Sequence, residues 1–224
     1  MNTRSALLVG ASGLTGGHCL RFLLESDLYD KVTILVRKPL SLEHDKLQQH
    51  VIDFDNLKKH SGLINATDIF CCLGTTMKQA GSKDAFYRVD CTYPSEIARL
   101  AVENGSERFL IVTAIGASSK SLFFYNRVKG DVENAVSKLP FKGICIFRPS
   151  ILLGKRKESR RGEEIGMSLS RIASPFLIGP FKKYRGIRAG VVAFSLVQVA
   201  REGPEGINIF ESDRIQSIYD KKSE

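Results

Sequence analysis

Residues 6–16 read Ala-Leu-Leu-Val-Gly-Ala-Ser-Gly-Leu-Thr-Gly. Residues 6–9 form a short apolar strand, and three glycines, Gly10, Gly13 and Gly16, follow it directly. A chain turning this tightly off a strand needs Gly10. An anion approaches the backbone closely only where Gly13 has no side chain, and Gly16 lets the next helix pack on the strand. The unpaired N–H groups and dipole of that helix then face a pyrophosphate. The spacing is GxxGxxG rather than the GxGxxG of typical dehydrogenases, and the absence of GxxxxGK excludes a Walker A loop. A glycine triplet alone is equally an ordinary turn; its place between an amino-terminal strand and a helix makes it a dinucleotide-binding turn.

Outward from this turn, near-continuous apolar runs at residues 32–36, 69–73, 109–112 and 144–147 read as strands covered on both faces. A shorter stretch, 51–54, is the candidate third strand. Helical spacing recurs at 15–24, 94–103 and 124–137, the second opening on Pro94. Strand and helix alternating in this way predict an α/β fold, a doubly wound parallel sheet of the Rossmann type with right-handed crossovers. After Pro149 come a charged loop at 155–161, helical patterns at 165–173 and 189–201, and a late strand at 207–210. The chain is expected to be one NAD(P)-binding domain over 1–224, with 150–224 as a small carboxy-terminal substrate lobe packed on it.

Composition narrows the function classes. Hydrophobic residues at 43% and charged residues at 25% are globular values, so a disordered or fibrous chain is excluded. No run of eighteen apolar residues occurs, and the apolar stretch 6–9 is too short for a signal peptide, which predicts a cytoplasmic protein without a membrane span. Cys19, Cys71, Cys72, Cys91 and Cys145 form no CxxC pair, as suits a reducing compartment. His18, His44, His50 and His60 lack zinc spacing, so no metal site is expected. The net charge of +9 calls for anionic partners: a phosphorylated cofactor, nucleic acid or a membrane surface. No RNA-binding aromatic signature or helix-turn-helix pattern accompanies it, which argues against nucleic acid.

The end of the second strand selects the cofactor. An NAD site places a carboxylate there for the ribose 2′-hydroxyl. This chain has Arg37 and Lys38, two cations suited to a 2′-phosphate, although cations also occur at solvated strand ends. NADP(H) is therefore the expected cofactor, with NAD(H) as second choice. Tyr125-Asn-Arg-Val-Lys129 is the sole YxxxK among six tyrosines. On a helix the two side chains share a face, where the Lys129 ammonium favours phenolate and Tyr125 can give a proton to a carbonyl oxygen. Lys129 can also hold the nicotinamide ribose. Thr113, at the end of the fifth strand, is the candidate substrate donor, with Ser118 and Ser119 as alternatives and a plain β-branched strand residue as the competing reading. Leu73 and Gly74 end the fourth strand, where small residues let a cofactor lie against backbone. Residues 149–152 offer an apolar surface beside it. Phe123, Phe124 and Phe181 could line a substrate pocket, but phenylalanines more often belong to the core, and that is their expected place.

The glycine turn, Cys72-Leu-Gly-Thr-Thr76, Tyr125 to Lys129 and Phe147-Arg-Pro149 together resemble atypical short-chain dehydrogenases/reductases. More narrowly, with Arg88-Val-Asp90, Val128-Lys-Gly130 and Glu158-Ser-Arg160, the chain resembles bacterial-type relatives of the HIV Tat-interactive protein 2 oxidoreductases. The resemblance implies cofactor contacts at Ser12, Gly13, Leu14, Thr15, Gly16, Arg37, Lys38, Leu73, Gly74, Tyr125, Lys129, Leu152 and Arg160, and Tyr125 as proton donor. In the wider superfamily a serine usually ends the fifth strand, whereas this chain has Thr113-Ala114-Ile115. The function expected is reduction of a small carbonyl substrate with NADPH. The alternative is an NADP(H)-sensing regulatory module that binds a protein partner. Four-helix interfaces in related folds allow a homodimer.

Overall fold

The computed structural model describes residues 4–154 and 179–222. Nine strands are described: β1 (Arg4–Val9), β2 (Tyr29–Val36), β3 (Leu47–Val51), β4 (Asp68–Cys71), β5 (Arg108–Val112), β6 (Gly143–Arg148), β7 (Leu152–Leu153), β8 (Ile187–Arg188) and β9 (Gly206–Glu211). Seven of them form one all-parallel sheet in the order β3-β2-β1-β4-β5-β6-β9. Strand order reverses between β1 and β4, so the crevice that binds ligands in such sheets lies over their carboxyl ends.

Apolar residues on both faces explain the layers. Leu7, Val9, Ile69, Cys71, Phe109 and Ile111 pack under α4 (Tyr93–Glu103) and α5 (Phe124–Val136), which contribute Ile97, Ala101, Val128 and Val132. Ala6, Leu8, Ile34, Phe70, Leu110 and Phe147 face the other way, against Cys19 and Leu23 of α1 (Leu14–Glu25) and Val192 and Leu196 of α6 (Ala189–Glu202). Between β4 and α4 lie the short helices α2 (Met77–Ala80) and α3 (Lys83–Tyr87), followed by a π-helical turn at Arg88–Thr92.

The third strand departs from the expectation. It occupies Leu47–Val51, not 51–54, pairing Val36 with Val51, and Phe54–Leu63 form a 3-10 helix. An edge strand needs backbone partners more than apolar side chains, so Leu-Gln-Gln-His-Val suffices. Phe54 and Leu57 are buried instead by the helix, whose first turn is capped by Asp53 accepting from the Asp55 N–H at 3.0 Å. The late strand, β9, pairs with β6 as the seventh strand of the main sheet, and α7 (Ser212–Lys222) packs on α6. Residues 189–222 thus complete the sheet's own layers. The β7–β8 ribbon stands at the carboxyl edge. The expected loop at 155–161 and helix at 165–173 lie outside the described residues.

At the opposite edge a buried polar cluster joins four strands. The Tyr29 hydroxyl donates to Asp68 Oδ2 at 2.7 Å, Arg108 donates to Oδ1 at 3.3 Å, and Arg4 approaches at 3.9 Å. Burial raises the Asp68 carboxyl above its ordinary range, against the opposing pull of Tyr29 and Arg108.

Candidate functional site

The glycine turn is closed on both sides by backbone. Gly10 adopts φ 85°, and a Cβ there would lie 2.4 Å from the Cys72 carbonyl oxygen and 2.8 Å from Leu73 N. A Cβ on Gly16 would lie 2.0 Å from Gly10 O, and one on Gly13 3.2 Å from the same atom. The Gly13 N–H donates to Gly10 O at 2.9 Å, and the first helical bond of α1 runs from Gly17 N–H to Gly13 O at 2.8 Å. The first-turn amides of Leu14, Thr15 and Gly16 precede that bond and point out of the helix end. No carboxylate occupies this turn. Ser12 and Gly13 are exposed, whereas Thr15 is buried. This open, unneutralised cradle fits a pyrophosphate.

Arg37 and Lys38 follow β2, which lies beside β1 in register Val9–Leu35. Both are exposed and have no ion-pair or side-chain hydrogen-bond partner among the described residues, so two uncompensated cations flank the turn. On the far side, a Cβ on Gly154 would lie 2.9 Å from Leu14 Cδ1, which places the Leu152–Gly154 segment against the first residue of α1. Arg160 lies outside the described residues.

The other half of the site is built on β4 and α5. After Cys72, whose N–H donates to Val9 O at 2.9 Å, the chain turns through Leu73, Gly74 and Thr75. The Thr75 N–H donates to Asp90 Oδ2 at 2.8 Å, and the Lys129 ammonium lies 2.8 Å from Asp90 Oδ1, both side chains being buried. Gly74 sits over this pair: a Cβ there would lie 3.6 Å from Asp90 and 3.9 Å from Lys129. Burial is the largest influence on Lys129 and works to discharge it. The Asp90 carboxylate and Tyr125 outweigh it, so its pKa is raised. Tyr125, one turn earlier, is 43% exposed, packs its ring 5.9 Å from Phe86, and has no hydrogen bond to its hydroxyl among the described residues. Contacts therefore run unbroken from Gly10 through Cys72–Thr75 and Asp90 to Lys129, one helical turn from Tyr125. Asp90 is the site residue that pattern reading misses. Arg88-Val-Asp90 lies in a π-helical turn with no spacing signal of its own, and only the fold shows that its carboxylate joins two loops.

Thr113 is engaged within the core. Its hydroxyl is buried and donates to Glu133 Oε1 at 2.6 Å, with Phe147 O at 3.3 Å, and Glu133 is in turn held by Arg148. The side chain points along α5 to a residue one turn beyond Lys129, because that face of β5 is covered by the helix. The alternatives are also engaged: Ser118 Oγ accepts from Lys120 N–H and Ser119 Oγ from Asn134. Thr113→Val is expected to cost about 1–3 kcal/mol in urea unfolding, since Glu133 loses a buried donor, and to leave NADPH affinity unchanged in titration. Phe124 packs on the core, but Phe123 and Phe181 are exposed, contrary to their core reading, because they stand at loop tips on the carboxyl edge.

A parallel sheet with a glycine turn at its switch point defines a dinucleotide-binding fold of the Rossmann type. The chain belongs to the NAD(P)H-binding family, whose model matches residues 10–138. It is 40% identical to the rat protein HTATIP2 over 167 residues, covering 73% of this chain and 69% of that one. It is 34% identical to the mitochondrial protein FMP52 of Saccharomyces cerevisiae over 160 residues, 70% of this chain and 69% of the other. Among solved structures, the Bordetella bronchiseptica enzyme WbmH in complex with NAD+ superposes with a TM-score of 0.71 at 16% identity, over 98% of this chain and 80% of that one. The Lactococcus lactis oxidoreductase ylbE gives 0.65 at 15% identity, over 98% and 96%. These two share the fold. Among the described residues no helix is long and apolar enough to cross a membrane.

Proposed function

We propose that the chain is an NADPH-dependent reductase of a small carbonyl compound, with Tyr125 as proton donor. The observation that carries this reading is the path of contacts from the glycine turn through Asp90 to the buried Lys129 ammonium, one helical turn from the part-exposed Tyr125. Gly10, Ser12, Gly13, Leu14, Thr15 and Gly16 would hold the pyrophosphate, Arg37 and Lys38 the 2′-phosphate, and Leu73, Gly74 and Leu152 the nicotinamide half; Arg160 is carried by resemblance alone. When bound, NADPH supplies the hydride. Tyr125 Oη gives its proton to the carbonyl oxygen, and Lys129 stabilises the phenolate left behind. Two of the three ammonium donors remain after Asp90, enough to reach a ribose hydroxyl. Asp90 is a positioning residue, orienting Lys129 and the Gly74–Thr75 turn together. Residues 149–154 and 179–188, at this edge, would face the substrate. Free thiols at all five cysteines, four of them buried, favour a reducing compartment, for which the cytoplasm is our reading.

The test is NADPH consumption against a panel of aldehydes and ketones. Tight NADPH binding with no turnover across the panel would sink the reductase and favour the sensing module, the reading that the engaged hydroxyl of Thr113 supports. Cofactor choice is tested separately. Arg37→Asp is expected to lower NADPH affinity about tenfold or more, roughly the loss of one charge-assisted phosphate contact, while NADH binding changes little. Equal titrations of the two cofactors in wild type would remove the 2′-phosphate assignment.

A further inference from the structure

The loop between β5 and α5 is braced by hydrogen bonds along its backbone and exposes apolar side chains. The Ser121 N–H donates to Ser118 O at 3.0 Å and the Phe123 N–H to Ser121 Oγ at 3.2 Å. Arg127 donates to the carbonyls of Ser121 at 2.9 Å and Leu122 at 3.4 Å. This frame holds Leu122 95% exposed and Phe123 76% exposed. A second apolar tip stands on the 3-10 turn Gly179–Tyr184, where Phe181 is 59% exposed. Both tips belong to the carboxyl edge. The first leaves β5; the second leads into β8, paired with β7 just after β6; and the Ile115 N–H donates to Pro149 O at 3.0 Å, joining the two exits.

Cations accompany the tips. Lys120 and Lys182 have no carboxylate partner among the described residues, and Arg127 is held by carbonyls and the Phe124 ring at 5.8 Å; Lys183, in contrast, pairs with Glu211 at 2.9 Å. We propose that this edge docks on an anionic lipid surface, with Leu122, Phe123 and Phe181 entering the interface and Lys120, Arg127 and Lys182 meeting the lipid phosphates. Separate protruding tips suit insertion between lipids, whereas a protein partner calls for a continuous apolar face. A second copy is disfavoured because each chain carries +9. Adhesion of this kind accounts for basic surface that a dinucleotide does not use. Vesicle binding needs neither cofactor nor turnover, so this proposal and the reductase reading can fail separately.

The chain has no tryptophan, which makes a single introduced one a clean reporter. In Leu122→Trp and Phe123→Trp, vesicles of phosphatidylcholine with phosphatidylglycerol are expected to shift emission to the blue, and lipids brominated on their chains to quench it. Ile207→Trp, at an exposed position near the start of β9 and the opposite edge, should not respond. In sedimentation, Leu122→Glu/Phe123→Glu and Lys120→Glu/Lys182→Glu should each weaken wild-type vesicle binding about tenfold or more, and raising salt from ~0.05 to ~0.5 M should release the protein. Unchanged NADPH titrations would show both variants folded. Absence of the blue shift at positions 122 and 123, an equal shift at 207, or sedimentation indifferent to the Glu variants would overturn the proposal, and the first outcome would leave the tips to a protein partner.

Discussion

Gly16→Ala is expected to lower NADPH affinity at least about a hundredfold, roughly 2.7 kcal/mol, and to destabilise the fold by about 1–3 kcal/mol. The added Cβ would lie 2.0 Å from Gly10 O, 2.7 Å from Gly10 C and 3.1 Å from Ala11 Cα. All three are backbone atoms, so no side chain can swing aside. The turn cannot yield on its other flank either, because Gly10 is already held at φ 85° against Cys72 and Leu73. Relief requires α1 to lift from β1, which carries the first-turn amides away from the anion they would bind. Gly17→Ala is the matched control. Its Cβ would meet only Ala11 O at 3.5 Å, an ordinary contact, and alanine favours a helix interior by up to about 1 kcal/mol over glycine. NADPH titration and urea unfolding of the two variants should therefore diverge, one losing binding and stability and its neighbour keeping both. Equal NADPH affinity for Gly16→Ala and wild type would mean that the turn is not the pyrophosphate site.

Strands β1, β2, β4, β5 and β6 are legible in the sequence because both of their faces are buried, which leaves continuous apolar runs. Gly10, Gly13 and Gly16 are legible because their constraint is local. The edge strand β3 is not, since its Gln48, Gln49 and His50 meet little core and its pairing is set by β2. Thr113 shows the limit at the site itself. A hydroxyl at a strand end is visible in the chain, but the identity of its partner, Glu133, depends on how α5 crosses the sheet. Asp90 and Asp68 are hidden for the same reason: each carboxylate binds groups from elements far apart in sequence. Pattern identifies backbone constraints and buried faces, and misses polar partners brought together by tertiary packing.

Tyr125→Phe is expected to reduce turnover of any carbonyl substrate by about 10²–10⁴ while leaving the NADPH dissociation constant within about twofold. The substitution removes one atom and keeps the ring beside Phe86. Because that hydroxyl has no hydrogen-bond partner among the described residues, stability should change by no more than about 0.5 kcal/mol, so loss of rate can be assigned to the proton. Lys129→Met cannot separate the two effects. It strands the buried Asp90 carboxylate, at about 3–5 kcal/mol, and loosens Thr75, whose N–H that carboxylate accepts. The pH dependence follows from the same pair. The raised pKa of Lys129 means that its contribution to stability is complete below the unfolded value of about 10.5 and is lost only as pH rises through the folded one. Stability from this pair should thus be flat between pH ~6 and ~9, as urea unfolding across that range would show. Full turnover by Tyr125→Phe would remove the phenol from the reaction. It would leave the Asp90–Lys129 pair as a structural clasp between the β4 exit and α5, where removal of either partner alone strands a buried charge.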